Sequence, residues 1–369
     1  MMVLINLTFM FLMFVVSNLN MKRLFFLFLT INCSIILFAQ KQNYKVSVIA
    51  FYNLENLYDT VDNPIVRDEE FTPKGERNYN SDIYFNKLDK LASVLAQIGT
   101  DENPKIPDGP AIIGVAEIEN DTVLNDLINH PLIQKRGYKF IHYDCKDARG
   151  VDVGLLYNPK YFKPEDSKAL FVNLPSGAKD AYFTRDVLWV KGKLDGETIH
   201  IYVNHWPSRL GGEERSAPGR AAAAMVSKNH MDSIIKADGE QKFIIMGDLN
   251  DDPISPSITK VLKAKGKIED VTPGGIFNPW IEMYKKGFGT LAYQDAWGLF
   301  DQVMISYKWL DKKQDGFFFY KQFIFNRDFL TENNGRYKNY PMRTWDGMTY
   351  RGGYSDHFPT YLVMLKRIP

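Results

Sequence analysis

The sequence predicts a single α/β domain after an apolar leader. Three observations predict it. Short apolar runs alternate with stretches of helical spacing, the strand-like runs repeatedly end in carboxylates, amides or histidines, and no repeat or low-complexity linker divides the chain. At 369 residues and 45% hydrophobic content, one large layered core is affordable without a second domain.

Residues 1–20 carry no charge, while Met21-Lys22-Arg23 followed by the apolar residues 24–38 has the plan of a secretory leader with its true start at Met21. Ala39 before Gln40-Lys41 predicts cleavage, so that 1–40 is leader and 41–369 the functional domain. An uncleaved leader, with bulky Leu37 two residues before Ala39, makes a membrane anchor instead. Export to the periplasm, cell surface or medium is the expectation. Cys33 lies in the leader, which leaves Cys145 without a disulfide partner in the mature chain. Removal of Lys22 and Arg23 and no acid takes the formal charge from +1 to −1, which excludes a globally basic nucleic-acid binder.

Residues 45–51 read as a strand that ends at Tyr52-Asn53-Leu54-Glu55-Asn56. The polar stretch 59–80, with Pro64, Pro73 and Gly75, predicts a long loop. Ser81 or Asp82 then caps a helix whose Tyr84, Leu88, Leu91, Val94, Leu95 and Ile98 share one face. Residues 111–116 form a continuous apolar strand ending in Glu117, a helix covers about 121–130, and strands at 138–143 and 151–157 flank the turn Asp147-Ala148-Arg149-Gly150. Residues 187–194 and 198–203 form a hairpin through Asp195-Gly196, and the second arm ends in Asn204-His205-Trp206-Pro207-Ser208-Arg209. A glycine-containing loop, 210–219, leads to an alanine-rich helix over 220–236. The strand 242–246 follows and delivers Gly247-Asp248-Leu249-Asn250-Asp251-Asp252-Pro253, with a short helix at 257–263. The part from 270 to 351 is irregular and aromatic, with one clear strand at 301–306, and Ser355-Asp356-His357-Phe358-Pro359 runs into a last strand at 360–365.

Any one of these strand exits could be an ordinary turn in which Asx side chains bond their own backbone. Taken together they put Asn53, Glu55, Glu117, His205, Asp248, Asn250, Asp301, Asp356 and His357 at the ends of strands. Carboxylate and amide oxygens suit Mg²⁺, or Mn²⁺, and the absence of a Cys cluster or close His pair disfavours zinc. Histidines beside acids add acid–base capacity near neutral pH. No Gly-x-Ser-x-Gly elbow, P-loop or dinucleotide fingerprint is present. Metal-assisted attack of water on a phosphate ester remains.

These motifs, in this order over about residues 44–366, resemble the endonuclease/exonuclease/phosphatase superfamily with its deoxyribonuclease I-like fold. Asn53-x-Glu55, Glu117, Arg185 in Phe183-Thr184-Arg185-Asp186, Asn204-His205, Gly247-Asp248-Leu249-Asn250, Asp301 and Ser355-Asp356-His357-Phe358-Pro359 carry the resemblance. It implies a four-layer α/β/β/α sandwich, two mixed, mostly antiparallel sheets face to face with helices outside. It further implies metal binding by Glu117 with Asn53, Glu55 and Asp356 nearby, and water activation by Asp248 and Asn250. His205 and His357, the latter held by Asp301, would handle protons and phosphoryl oxygens, and Arg185 would face phosphate.

Two local features are not general to that superfamily. Arg149 either contacts substrate or forms a buried pair with Asp152, and Arg209 either meets a phosphate or caps the next helical region. Residues 308–351 carry an excess of Lys and Arg with interleaved aromatics, a pattern that can bind strand backbone and stack bases, or pack as an insertion on the sheet. The expected activity is an Mg²⁺-dependent phosphodiesterase on nucleic acid, acting as a monomer without an obligate protein partner. A phosphatase or phosphodiesterase for lipid head groups, inositol phosphates or other small esters is the alternative, and an inactive binding module the third reading.

Overall fold

In the computed structural model, residues 43–100, 106–175 and 183–368 are described; the leader and its cleavage site lie outside them. Lys45–Lys366 forms one compact unit built on two six-stranded sheets. The strands are β1 (Tyr44–Leu57), β2 (Ile112–Ile118), β3 (Lys139–His142), β4 (Asp152–Tyr157), β5 (Phe162–Leu170), β6 (Val187–Leu194), β7 (Glu197–His205) and β8 (Lys242–Asp248). They continue with β9 (Ile276–Phe277), β10 (Leu291–Tyr293), β11 (Ala296–Gly298), β12 (Asp301–Ser306), β13 (Phe318–Ile324), β14 (Trp345–Asp346), β15 (Thr349–Tyr350) and β16 (Thr360–Arg367). The first sheet has the order β13-β16-β1-β2-β4-β3 and the second β5-β6-β7-β8-β12-β9. Both are mixed: β1–β2 and β7–β8 run parallel, while β2–β4, β6–β7 and β8–β12 run antiparallel.

Alternation along the strands makes the layers, because successive side chains point to opposite faces. Ile49 and Phe51 of β1 meet Val203 of β7, Ile244 and Met246 of β8 and Val303 and Ile305 of β12 in the core between the sheets. Val48, Ala50, Tyr52 and Leu54 face the other way, against helices α1 (Ser81–Gln97) and α2 (Asp121–Ile128). Tyr202, Phe243, Ile245 and Met304 likewise face α3 (Glu213–Asp238) through Ala223, Ala224 and Met231. The result is a four-layer α/β/β/α sandwich. A short helix, α4 (Ile281–Lys285), lies between β9 and β10.

Several boundaries differ from the sequence expectation. The cap of α1 is Asn80, whose side chain accepts the Ile83 N–H, rather than Ser81 or Asp82. Helix α3 starts at Glu213, seven residues before the predicted start, and carries Pro218 inside its first turns. Strand β5 is unanticipated because Pro164 and four charged residues break its apolar pattern, as an exposed edge strand allows. Strand β13 lies in the stretch read as irregular and pairs with β16.

Candidate active site

The strand parity that builds the inter-sheet core also aims its polar ends. On β7, β8 and β12 the core-facing series 203, 246 and 303 continues to His205, Asp248 and Asp301. Register then sets these three side by side, since Asp248 is the pairing partner of His205 on one side and of Asp301 on the other. From the opposing sheet, Asn53 continues the series 49 and 51, and its Nδ2 donates to Asp248 Oδ2 at 3.0 Å. The other Asp248 oxygen accepts the Asn250 N–H at 2.9 Å, so the Asx turn expected of an ordinary strand exit is present and serves to fix this carboxylate.

Glu117 follows core-facing Ala116 and would by alternation point to the helix layer. A bulge between Ala116 and Ile118, with Glu117 at φ 60°, turns it instead. Its Oε2 accepts the Asn56 N–H at 2.9 Å, and its Oε1 lies 3.7 Å from His205 Nε2. Glu55, Asn56 and Asn250 also have positive φ, of 48°, 56° and 48°. Non-glycine residues in the left-handed region cost of order 1 kcal/mol or more, and four of them collect around this one edge.

His357, in the loop before β16, donates its Nδ1–H to Asp301 Oδ2 at 2.7 Å, and the same oxygen accepts from Thr290 Oγ1 at 2.5 Å. Its Nε2 lies 3.8 Å from both Asp248 Oδ2 and Asp356 Oδ1. Burial acts to lower the His357 pKa, but Asp301, Asp356 and Asp248 together outweigh it, leaving the group well above its ordinary value. His205 goes the other way: burial, then Arg185, Arg149 and His357, hold it well below. Burial pushes the Asp248 carboxyl up to about 6, with His357 opposing and Asp301 adding to the rise. One edge therefore holds a charged imidazole, a neutral imidazole and a carboxylate poised near neutrality.

The family model for the endonuclease/exonuclease/phosphatase family matches residues 48–366, which include every residue of this edge. The chain belongs to the endonuclease/exonuclease/phosphatase family. It is a metal-dependent hydrolase of phosphate esters. Similar solved structures include a family protein from Bacteroides thetaiotaomicron, 14% identical with a TM-score of 0.53, covering 89% of this chain and 100% of that one. D. rerio TDP2 in complex with a single-strand DNA product is 15% identical with a TM-score of 0.52, covering 87% and 99%. A mannosyl-6-phosphatase from B. thetaiotaomicron is 15% identical with a TM-score of 0.51, covering 88% and 100%. At these identities the likeness is one of fold. No curated protein matches the chain.

The divalent ion that the family uses fits this edge. Ligand atoms of Glu117, His205 and Asp248 lie within 4.8 Å of one another, and the carboxylates supply the hard oxygens such an ion takes; the neighbouring group of Asp248, Asp301 and His357 is as close, but its carboxylates face the protonated His357 ring. Asn53 and Asp356 border these groups; the Asn53 amide oxygen accepts the Glu55 N–H at 2.9 Å, and Asp356 Oδ2 is 3.3 Å from Arg343 Nη2. A third grouping, His142, Asp144 and Asp152, is closed by its own bonds, since both His142 nitrogens meet carboxylates, of Asp121 at 2.9 Å and Asp152 at 3.2 Å.

Other expected site residues are placed differently. Glu55 is turned from the metal groups: its two oxygens accept the Thr344 N–H at 2.6 Å and the Trp345 N–H at 3.2 Å. Burial and then Asp356 raise its pKa to about 7. Arg185 is buried and donates from Nε to the His205 carbonyl, from Nη2 to the Trp206 carbonyl and from Nη1 to Asp147, at 3.1, 2.6 and 2.9 Å. It thereby fixes the end of β7. Arg209 braces the Asn250 carbonyl, Asp252 and Glu213. Asn250 donates its amide to the Trp206 carbonyl at 3.0 Å and so ties the ends of β7 and β8 together. Arg149 does not pair with Asp152; its Nε lies 3.5 Å from Asp147, its side chain is half exposed, and Glu117 is among the charges that raise its pKa after burial, the largest influence, lowers it.

The sequence motifs include Ser355 but assign no role to it, and they leave out Thr290 and Lys87. Ser355 Oγ donates to the Asn53 carbonyl at 2.8 Å and accepts the His357 N–H at 3.1 Å, joining β1 to the His357 loop. Lys87 is fully buried on α1, with Nζ 2.6 Å from Thr344 Oγ1. Its signal was available, because 84, 87, 88 and 91 share the apolar face of that helix.

Proposed function

We propose that the protein is an Mg²⁺-dependent phosphodiesterase that hydrolyses nucleic-acid or nucleotide esters by in-line attack of water. The observation that carries the reading is the convergence of two histidines on one carboxylate: His205 Nε2 lies 3.7 Å and His357 Nε2 3.8 Å from Asp248 Oδ2, with His357 held by Asp301 at 2.7 Å and His205 3.7 Å from Glu117. Asp248, held by Asn53 and Asn250 and poised near pH 6, accepts the proton of the attacking water. The His357 imidazolium stabilises the charge that builds on the phosphoryl oxygens, a term that is large where water is excluded. When bound, a divalent ion on Glu117 and its neighbours supplies Lewis-acid polarisation of the phosphoryl group.

A second reading, a phosphatase for small esters, is favoured by the near-neutral charge, which gives no extended attraction for duplex DNA. The solved structures of similar fold support both, one holding a single-strand DNA product and another being a mannosyl-6-phosphatase. The purified protein is incubated with Mg²⁺ or Mn²⁺, with and without chelator, on single-stranded DNA, plasmid DNA, mannose 6-phosphate and a phospholipid. Chelator-sensitive cleavage of DNA is expected; cleavage of monoesters alone would replace the phosphodiesterase reading with the second.

A further inference from the structure

Beside the candidate active site lies a cavity of about 320 Å³, within the size range of small-ligand pockets. Asp356 forms part of its wall, so the cavity borders the edge that holds His357. The rest of the wall comes from the chain between β10 and the His357 loop, notably Tyr293, Arg336, Tyr337, Tyr340, Arg343 and Arg351.

This wall is fastened to the catalytic edge, which explains two buried charges that the chemistry leaves unused. The Glu55 carboxylate accepts the Thr344 and Trp345 N–H groups, and Lys87 reaches Thr344 Oγ1 from beneath. Arg343, the preceding residue, meets Asp356 at 3.3 Å. Glu55 and Lys87 thus hold the pocket segment in register with His357.

The lining also has a distinct chemistry. Arg343 and Arg351 are paired with Asp356 and Glu332, at 3.3 and 3.5 Å, and Asp346 adds a third acid to the wall. Arg336 has no carboxylate within ion-pair distance among the described residues; its guanidinium lies 5.8 Å from the centre of the Tyr337 ring. The Tyr337 ring is 5.7 Å from that of Tyr340, whose hydroxyl is tied to Asp295 at 2.7 Å. Tyr293 and Tyr337 nevertheless stay 71% and 43% exposed among the described residues.

We propose that this cavity is a nucleoside subsite: it takes one base against the exposed tyrosines and the phosphate flanking the scissile bond against Arg336. The inference rests on the phosphodiesterase reading and deepens it. A pocket of this volume has room for one nucleoside unit.

The test uses the full protein with Arg336→Gln, Tyr337→Ala and Tyr337→Phe, all at exposed positions. Kinetics are measured on a 5′-phosphorylated dinucleotide and on methyl p-nitrophenyl phosphate, and calorimetric binding of thymidine 3′,5′-bisphosphate and of mannose 6-phosphate is measured with chelator present. Loss of one stacking or phosphate contact should raise the dinucleotide KM and weaken bisphosphate binding about tenfold in Arg336→Gln and Tyr337→Ala. Tyr337→Phe should retain wild-type values, and kcat/KM on methyl p-nitrophenyl phosphate should stay unchanged in all three. Unaltered bisphosphate binding in both disruptive variants, an equal loss on both substrates, or tighter binding of mannose 6-phosphate would overturn the subsite. Bisphosphate binding that is lost in the variants while the wild type cleaves no diester would uphold the subsite and remove the phosphodiesterase reading instead.

Discussion

His357 keeps its proton because three carboxylates surround a buried ring, and of these Asp301 is the one in direct hydrogen-bond contact. Replacing Asp301 by Asn keeps the shape and removes the charge. The folded pKa of His357 then falls, so the imidazolium is lost as pH rises through a lower value than in the wild type. General acid–base groups contribute about 10²–10⁴-fold, and a loss of kcat near the lower end is expected for Asp301→Asn at pH 8, with partial recovery towards pH 6. A pH–rate profile measures this; an alkaline limb at the wild-type position would show that Asp301 does not set the charge of His357. The identities of the central residues were legible in the sequence, because Asp248, Asp301 and His205 end strands whose alternation fixes the face they occupy. The partners of Glu55 were not, since they are backbone N–H groups 289 and 290 positions away.

At the scale of elements, the site depends on how closely β7 and β8 approach. A Cβ on Gly247 would lie 2.2 Å from the Asn204 carbonyl oxygen, a contact with backbone that cannot yield cheaply. Gly247→Ala should therefore cost about 2–3 kcal/mol of stability and displace Asp248 from His205. Denaturant titration checks the first part, and a loss under about 0.5 kcal/mol would mean that the strands relax freely. Elements with a clear apolar pattern, alternating in β7 and continuous in β8, were legible from the sequence. Elements whose pattern is overwritten were not: β5 is polar because it is an edge, and the start of α3 is masked by Pro218 and Gly219, which read as loop. The bulge at Glu117 left no trace either, as an apolar strand ending in Glu looks the same with or without it.

For the molecule as a whole, the outer layer of the second sheet hides an acid-sensitive group. His200 is buried between Trp189 and Phe243 and accepts from Trp189 Nε1 at 3.3 Å. Burial, then Lys191 and His230, lower its pKa to about 4. Its folded pKa lies below the unfolded one, so the unfolded chain binds more protons between pH 6.5 and 4 and stability falls as pH drops through that window. His200→Gln, which keeps an acceptor for Trp189, should flatten the fall by on the order of 1–2 kcal/mol. Equal acid slopes for the two proteins in denaturant melts from pH 7 to 4.5 would contradict it.

The central claim is that Asp248 and the Asp301-held His357 perform the hydrolysis of the phosphate ester, and that Glu117 is among the residues that would hold the divalent ion. It is tested most directly by steady-state hydrolysis of methyl p-nitrophenyl phosphate across a titration of Mg²⁺ into chelated protein, with Asp248→Ala and His357→Ala in parallel. The account predicts activity that is restored by the ion in the wild type and lowered by about 10²-fold or more in both variants, which stay folded by circular dichroism. Undiminished hydrolysis in the chelated protein, or near-wild-type turnover by either folded variant, would contradict it.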